Sequence, residues 1–357
     1  LMSQVTETQT ISVVKGDDFK VINKNVIILR RFMRNKLAVF GLGLFVLMFL
    51  FGMFGQHFTS YTPTQIDYMA LGEEPSATHF FGTNAAGNDL YAQMVEGVRV
   101  SLLIGVVVGT TSIAISAVYG CIMAYFGGWI DKVMLFILET MIMVPSLLIL
   151  AISMNSGIGK EIQKNIPAWI VLSVVLIIFN WMSPARLIRA MGQSLIGRDY
   201  VKGARYMGVH PFKIVLRHLI PNIGSLLVLE FTRGIMYAVL SEVVYSFIGI
   251  GIRYPNYSLG SLIFEASAQI NTLPHMFWFP VIFFFLIVAP LAFMNDGLRD
   301  AFDPTSMSVG KIKKPKKPKS QKSASTVEDA EAQEADATTP STDPNPDAQA
   351  SAQSEEA

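Results

Sequence analysis

Apolar and polar stretches alternate along this chain on the scale of a lipid bilayer. A helix needs about 20 mostly apolar residues to cross one, and six stretches reach or approach that length: 37–55, 100–126, 133–154, 166–182, 226–250 and 276–294. The first reads LAVFGLGLFVLMFLFGMFG, without a single charge. The fourth is short and lies between Pro167 and Pro184. Six spans put both chain ends on one side of the membrane. The predicted fold class is all-α and integral to the membrane, with six transmembrane helices.

The polar segments between the spans differ in character. Residues 56–99 carry Asp67, Glu73, Glu74, Asp89 and Glu96, with Pro63 and Pro75 interrupting any long helix, which predicts a small folded cap. In 251–275, Pro255, Asn256, Gly260 and Pro274 surround a short apolar stretch, the pattern of a hairpin or short helix dipping back toward the membrane. Beyond residue 304 comes a basic block, KIKKPKKPKSQK, and then a run rich in Ala, Ser, Thr, Pro, Asp and Glu. Such a sequence buries too little apolar area to offset its ordering entropy, so 304–357 reads as a disordered tail. Its basic block either meets anionic lipid or stays solvated. The predicted organisation is thus a terminal segment (1–36), a first span (37–55), a cap (56–99), a five-helix core (100–303) and the tail.

Composition supports lipid over two soluble domains, since 51% of residues are hydrophobic and 15% charged. Lys and Arg concentrate in 1–36, at Lys132, in the loop before span five and after span six, whereas the opposite segments hold only Arg99, Lys160, Lys164 and Arg253. Positive residues stay cytoplasmic, so both termini are expected in the cytoplasm of a multi-pass protein. A net charge of +1 gives no attraction to nucleic acid. The lone Cys121 permits neither an intrachain disulfide nor a cysteine metal cluster and reads as a small buried residue. The first apolar run is too long for the core of a cleaved signal peptide and reads as an anchor.

The loop 184–225 is unusually long for a helix–helix connection and has a helical pattern of its own. Asp199 can cap a helix in which Tyr200, Ala204 and Met207 share one face, with Lys202 and Arg205 off it. Gly208 supplies a left-handed stop, and Pro211 opens a second helix with Phe212, Val215, Leu216 and Leu219 inward, up to Pro221. Two short helices on a glycine turn make either a knob for a partner's groove or a hairpin packed on its own bundle.

The run DYVKGARYMGVHPFKIVLRHLIPN, 199–222, resembles the signature loop of ABC importer permeases, with its Glu-Ala-Ala triplet, a following Gly and a Leu-Pro-like end. Here the triplet positions are Lys202, Gly203 and Ala204, and the glycine is Gly208. Three further blocks resemble the oligopeptide, dipeptide and nickel branch of that family. They are RFMRNKLAVFGL (31–42), HFFGTNAAGNDLYAQMVEGVRVSL (79–102), and the pair SEVVYSFIGIGIRYPNYSLGSL (241–262) and DGLRDAFDP (296–304). Asn84 and Asn88 stand where that branch commonly has Asp and Arg.

The resemblance implies a type I ABC importer permease fold, a five-helix core plus one N-terminal helix, in a bacterial inner membrane. It implies as partners a second homologous permease, two ATP-binding subunits and an external solute-binding protein. Short peptides are the implied cargo, with nickel chelates, glutathione or similar small solutes as the alternative. The coupling residues carried over are Tyr200, Lys202, Gly203, Ala204, Met207, Gly208 and Pro211.

This sequence holds no G-x-x-x-x-G-K-[ST] loop to cradle ATP phosphates. ATP and Mg are expected on the partner chains, with no cofactor here. The histidines His57, His79, His210, His218 and His275 are scattered without metal-ligand spacing, and no Ser has a nucleophile-elbow context. No catalytic or metal residue is assigned. A stand-alone channel would need repeated polar pore-lining positions, and a membrane enzyme a buried reactive set; neither pattern is visible. Ionisable residues inside spans are candidates for the translocation path. Glu242 lies about 18 Å along a helix from Glu230 and faces the path or bonds a neighbouring helix. Glu139, followed by the kink-permitting Pro145, is the second path candidate. Glu230 and Arg233, one turn apart, are expected to pair.

Overall fold

The structure, a computed structural model, describes residues 24–302. Expectations for 1–23 and for the tail lie outside the described residues. Within them the chain is helical. Asn35 separates α1 (Lys24–Arg34) from α2 (Lys36–Phe54), its side chain accepting the Leu37 and Ala38 N–H groups at 3.2 Å and so capping the first span.

The long central helix α3 (Leu90–Phe126) starts well before the expected residue 100, because Asp89 caps it by accepting the Ala92 N–H at 2.9 Å. The third span bends by 65° at Pro145, between α4 (Gly128–Ile142) and α5 (Ser146–Asn155), and α6 (Gly157–Asn165) follows. In the fourth, Trp181 alone separates α7 (Ala168–Asn180) from α8 (Met182–Ile196). Pro184, expected to end this span, is instead the third residue of α8. First-turn N–H groups have no intrahelical partner, so proline costs little there. Arg189, expected in a loop, therefore lies on a helix and clasps Asp131 of α4 through two hydrogen bonds of 2.5 and 2.6 Å.

Next come α9 (Asp199–Tyr206), α10 (Pro211–Ile214), a π-helical turn (Val215–Leu219) and α11 (Ile220–Asn222). A 75° bend then leads into α12 (Gly224–Phe247), followed by the short α13 (Leu259–Ser267) and the long α14 (Pro274–Phe302). By length and composition four helices can cross a membrane, or six when each bent pair counts as one span.

Association of helices in lipid depends on close packing, since lipid tails are as apolar as the helices themselves. Small residues accordingly sit where α3 meets its neighbours. A Cβ added at Gly120 would stand 2.6 Å from the Ala185 carbonyl of α8, and one at Gly109 would stand 2.8 Å from Ile235 of α12. The segment 56–89 packs at the start of α3 without regular strands. His79 bonds Asp89 at 3.0 Å, His275 of α14 reaches the Thr83 carbonyl at 3.1 Å, and the side chains of Asn84 and Asn88 bond each other at 3.1 Å. That amide pair occupies the two positions where the resembling branch commonly has Asp and Arg, so a neutral pair stands in for a charged one.

Candidate functional site

The hairpin at the far end of α3 is closed by its glycine. Gly208 has φ +73°, a conformation costly for any residue with a Cβ. Its N–H donates to Arg205 O at 3.0 Å and the next N–H, of Val209, to Ala204 O at 3.1 Å, a Schellman closure. Pro211 begins α10, with His210 as its N-cap. Asp199 does not cap: it is the first residue of α9, and the N-cap position is Arg198, which makes no side-chain capping bond.

The faces also differ from those expected. Inward residues are Val201 and Ala204 of α9 and Ile214, Val215 and Leu219 beyond the turn, packed with Cys121 and Tyr125 of α3 and Ile188 of α8. Tyr200 and Met207, expected on Ala204's face, are exposed, as are Phe212 and Leu216, expected inward. Ile214 and Leu219 lie five residues apart and share a face because the π-turn between them bonds i to i+5. Tyr206 is exposed too, and so are the cations Lys202, Arg205, Lys213 and Arg217 of the same hairpin. Lys202 is exposed and Gly203 half-buried with open space around it.

A cavity of about 380 Å³ opens in the helical bundle where the broken helices meet. Its walls include Ser146, beside the α4–α5 bend, Asn180 and Ser183 on either side of the α7–α8 break, and one face of α12. The α12 residues are Glu230, Arg233, Gly234, Tyr237, Ser241 and Tyr245, spaced so that they share a stripe about 22 Å long. Arg233 donates to Glu230 at 2.9 Å, and Ser146 and Tyr245 share a hydrogen bond of 3.0 Å. The Asn180 Nδ2 is buried without a partner.

Neither sequence-derived path candidate lies on this cavity. Glu242 is 0% exposed and joins three segments. Its carboxylate accepts from Ser101 Oγ of α3 at 2.7 Å and from Ser246 Oγ at 2.9 Å. Those hydroxyls accept in turn from the backbone N–H of Leu259, at 3.2 Å, and of Ile252, at 3.1 Å. The bond to a neighbouring helix expected of Glu242 is present, to Ser101 of α3. Glu139 is exposed on α4 and is not among the residues lining the cavity.

Residues 116–307, more than half of the chain, match the model of the family described as binding-protein-dependent transport system inner membrane component. The chain belongs to this family. Residues 26–75 match a second model, the N-terminal TM domain of oligopeptide transport permease C. Among curated relatives of this family member, the oligopeptide transport system permease protein OppC of Mycobacterium tuberculosis is 36% identical over 287 residues, 80% of this chain and 97% of the relative. The OppC of Haemophilus influenzae is 32% identical over 277 residues, 77% of this chain and 86% of the relative. Among solved structures, a chain of the inward-facing MetNI methionine ABC transporter aligns with a TM-score of 0.43 at 18% identity, over 59% of this chain and 97% of that one.

The family member's cavity stripe went unread in the sequence because its members are ordinary one at a time. Glu230 and Arg233 read as a local pair, and tyrosines and serines attract no notice singly. The available signal was their shared phase on a single helix.

Proposed function

We propose that this chain is one half of the membrane pathway of an ATP-driven importer of short peptides. It pairs with a second, related permease, receives cargo from an external solute-binding protein, and is driven by two separate ATPase subunits that bind ATP and Mg. In this reading both termini and the 199–222 hairpin are cytoplasmic, while 56–89 and 251–275 face outward. Membership of the family and the names of the relatives support the cargo and the partners.

The observation that carries the reading is the division of the hairpin's two faces. Its inner face is locked to α3 and α8 by fully or nearly fully buried residues, each stabilising by roughly 1.5–3 kcal/mol when withdrawn from water. Its outer residues Tyr200, Tyr206, Met207, Phe212 and Leu216 are exposed, with Lys202 and Arg205 among them, and are available to a groove in a partner. A push on that face passes through the 75° bend into α12, which carries the cavity stripe. The hairpin is thus a lever, and alternating access follows from rocking of the helices around the cavity.

Reconstitution with the partner subunits tests this. A cysteine placed at Met207 is expected to cross-link to an ATPase subunit in a nucleotide-dependent manner. Labelling of a cysteine at Lys202 from the external side of intact cells would overturn the orientation and the lever together.

A further inference from the structure

Peptides of differing sequence have in common only their backbone and their two charged ends. A cavity that passes them must address those shared groups. The α12 stripe presents one cation, Arg233, whose side chain is 53% exposed. Its guanidinium carries five N–H donors in a planar fork suited to a carboxylate, and Glu230 is bonded to just one of its nitrogens. Asn180, another residue of the cavity lining, holds a buried Nδ2 without a hydrogen-bond partner. An unpaired buried donor is costly, and a charged pair in a span needs water or a ligand to face.

We propose that the Arg233 end of this cavity is a transit subsite for the C-terminal carboxylate of the cargo, gripped by the guanidinium, with Asn180 Nδ2 donating to a carbonyl oxygen of the same molecule. The proposal rests on the peptide-permease reading above. Glu230 sets the strength of the grip: the incoming carboxylate shares Arg233 with a resident one, so binding stays weak enough for release, as a pathway site requires. Selection at this point is for a free carboxylate and is indifferent to side-chain identity.

The test uses the complete transporter, with its partner permease, ATPases and binding protein, in proteoliposomes. Tri-alanine and its C-terminal amide are each supplied at saturating loaded binding protein, and the acid-to-amide uptake ratio is read. Arg233→Gln is expected to lower that ratio about tenfold, the usual weight of a charge-assisted hydrogen bond, and Arg233→Lys to restore part of it. An unchanged ratio in Arg233→Gln, with uptake intact, overturns the subsite and leaves the peptide reading standing. Absence of ATP-dependent tri-alanine uptake by the wild-type complex instead overturns the peptide reading itself. Should Arg233→Gln not assemble, a tripeptide bearing a diazirine on its C-terminal residue is photolysed in the turning-over wild-type transporter. Labelling within α12 residues 230–237 or at Asn180–Ser183 supports the subsite, and labelling confined to other segments overturns it.

Discussion

Glu230 and Glu242 stand on the same helix, yet one opens on a cavity and the other is sealed between helices. At 3.6 residues per turn, the 12-residue step between them turns about 120°, whereas Ser241 returns to within about 20° of Glu230. Glu230 keeps Arg233 for company on the cavity stripe. Glu242 is enclosed by two serine hydroxyls that hold the backbone entering α13. A carboxylate inside a span therefore does not by itself mark a cavity. What decides is the face it occupies and whether its lone pairs are already filled by the fold.

Substitutions can break or sharpen that contrast. The largest expected effect is at the sealed site: Glu242→Ala strips two serines of their acceptor and leaves a void, at a cost of about 3 kcal/mol. Thermal denaturation of the purified complex reads it, and a wild-type midpoint would erase the distinction between the two faces. Ser101→Ala removes one arm of the same junction and is expected to cost about 1–2 kcal/mol by the same assay. Gly208→Val forces a β-branched residue into a left-handed conformation, at about 1–2 kcal/mol. Its sharper readout is uptake, which should be lost while ATP hydrolysis by the complex continues; normal uptake would remove the lever. On the cavity face, Arg233→Gln leaves the 6% exposed Glu230 a neutral hydrogen-bond partner in place of its cation, at a cost of about 1 kcal/mol, while changing transport. A large loss of stability there would show that Arg233 is a structural member of the bundle.

The hairpin shows how local chemistry makes structure legible. Gly208 and Pro211 announce their roles within a few residues, because a left-handed stop and a first-turn proline are backbone matters decided by the residue itself. Its faces were not legible in the same way. Ordinary helical spacing placed Phe212, Val215, Leu216 and Leu219 inward; Val215 and Leu219 are buried, but Ile214 takes the inward place in front of the π-turn at Val215–Leu219 while Phe212 and Leu216 are exposed. The bonding pattern of one turn depends on what the helix must pack against, here Cys121 and Tyr125 of α3.

The spans and the kink at Pro145 came from the sequence because they reflect what each stretch does alone against water, lipid and its own backbone. The apolar runs located α2, the later part of α3 and α14, Pro145 permitted the 65° bend, and of the hairpin or short helix expected in 251–275 the short helix α13 forms. Which α12 residues face a cavity and which fasten one helix to another was decided only by tertiary structure. The stripe from Glu230 to Tyr245 acquires meaning when the breaks in the third and fourth spans come to lie beside it. Ser101 meets Glu242 across 141 positions of chain. A side chain's neighbours in space are set by how helices stack, and no single stretch of sequence carries that information.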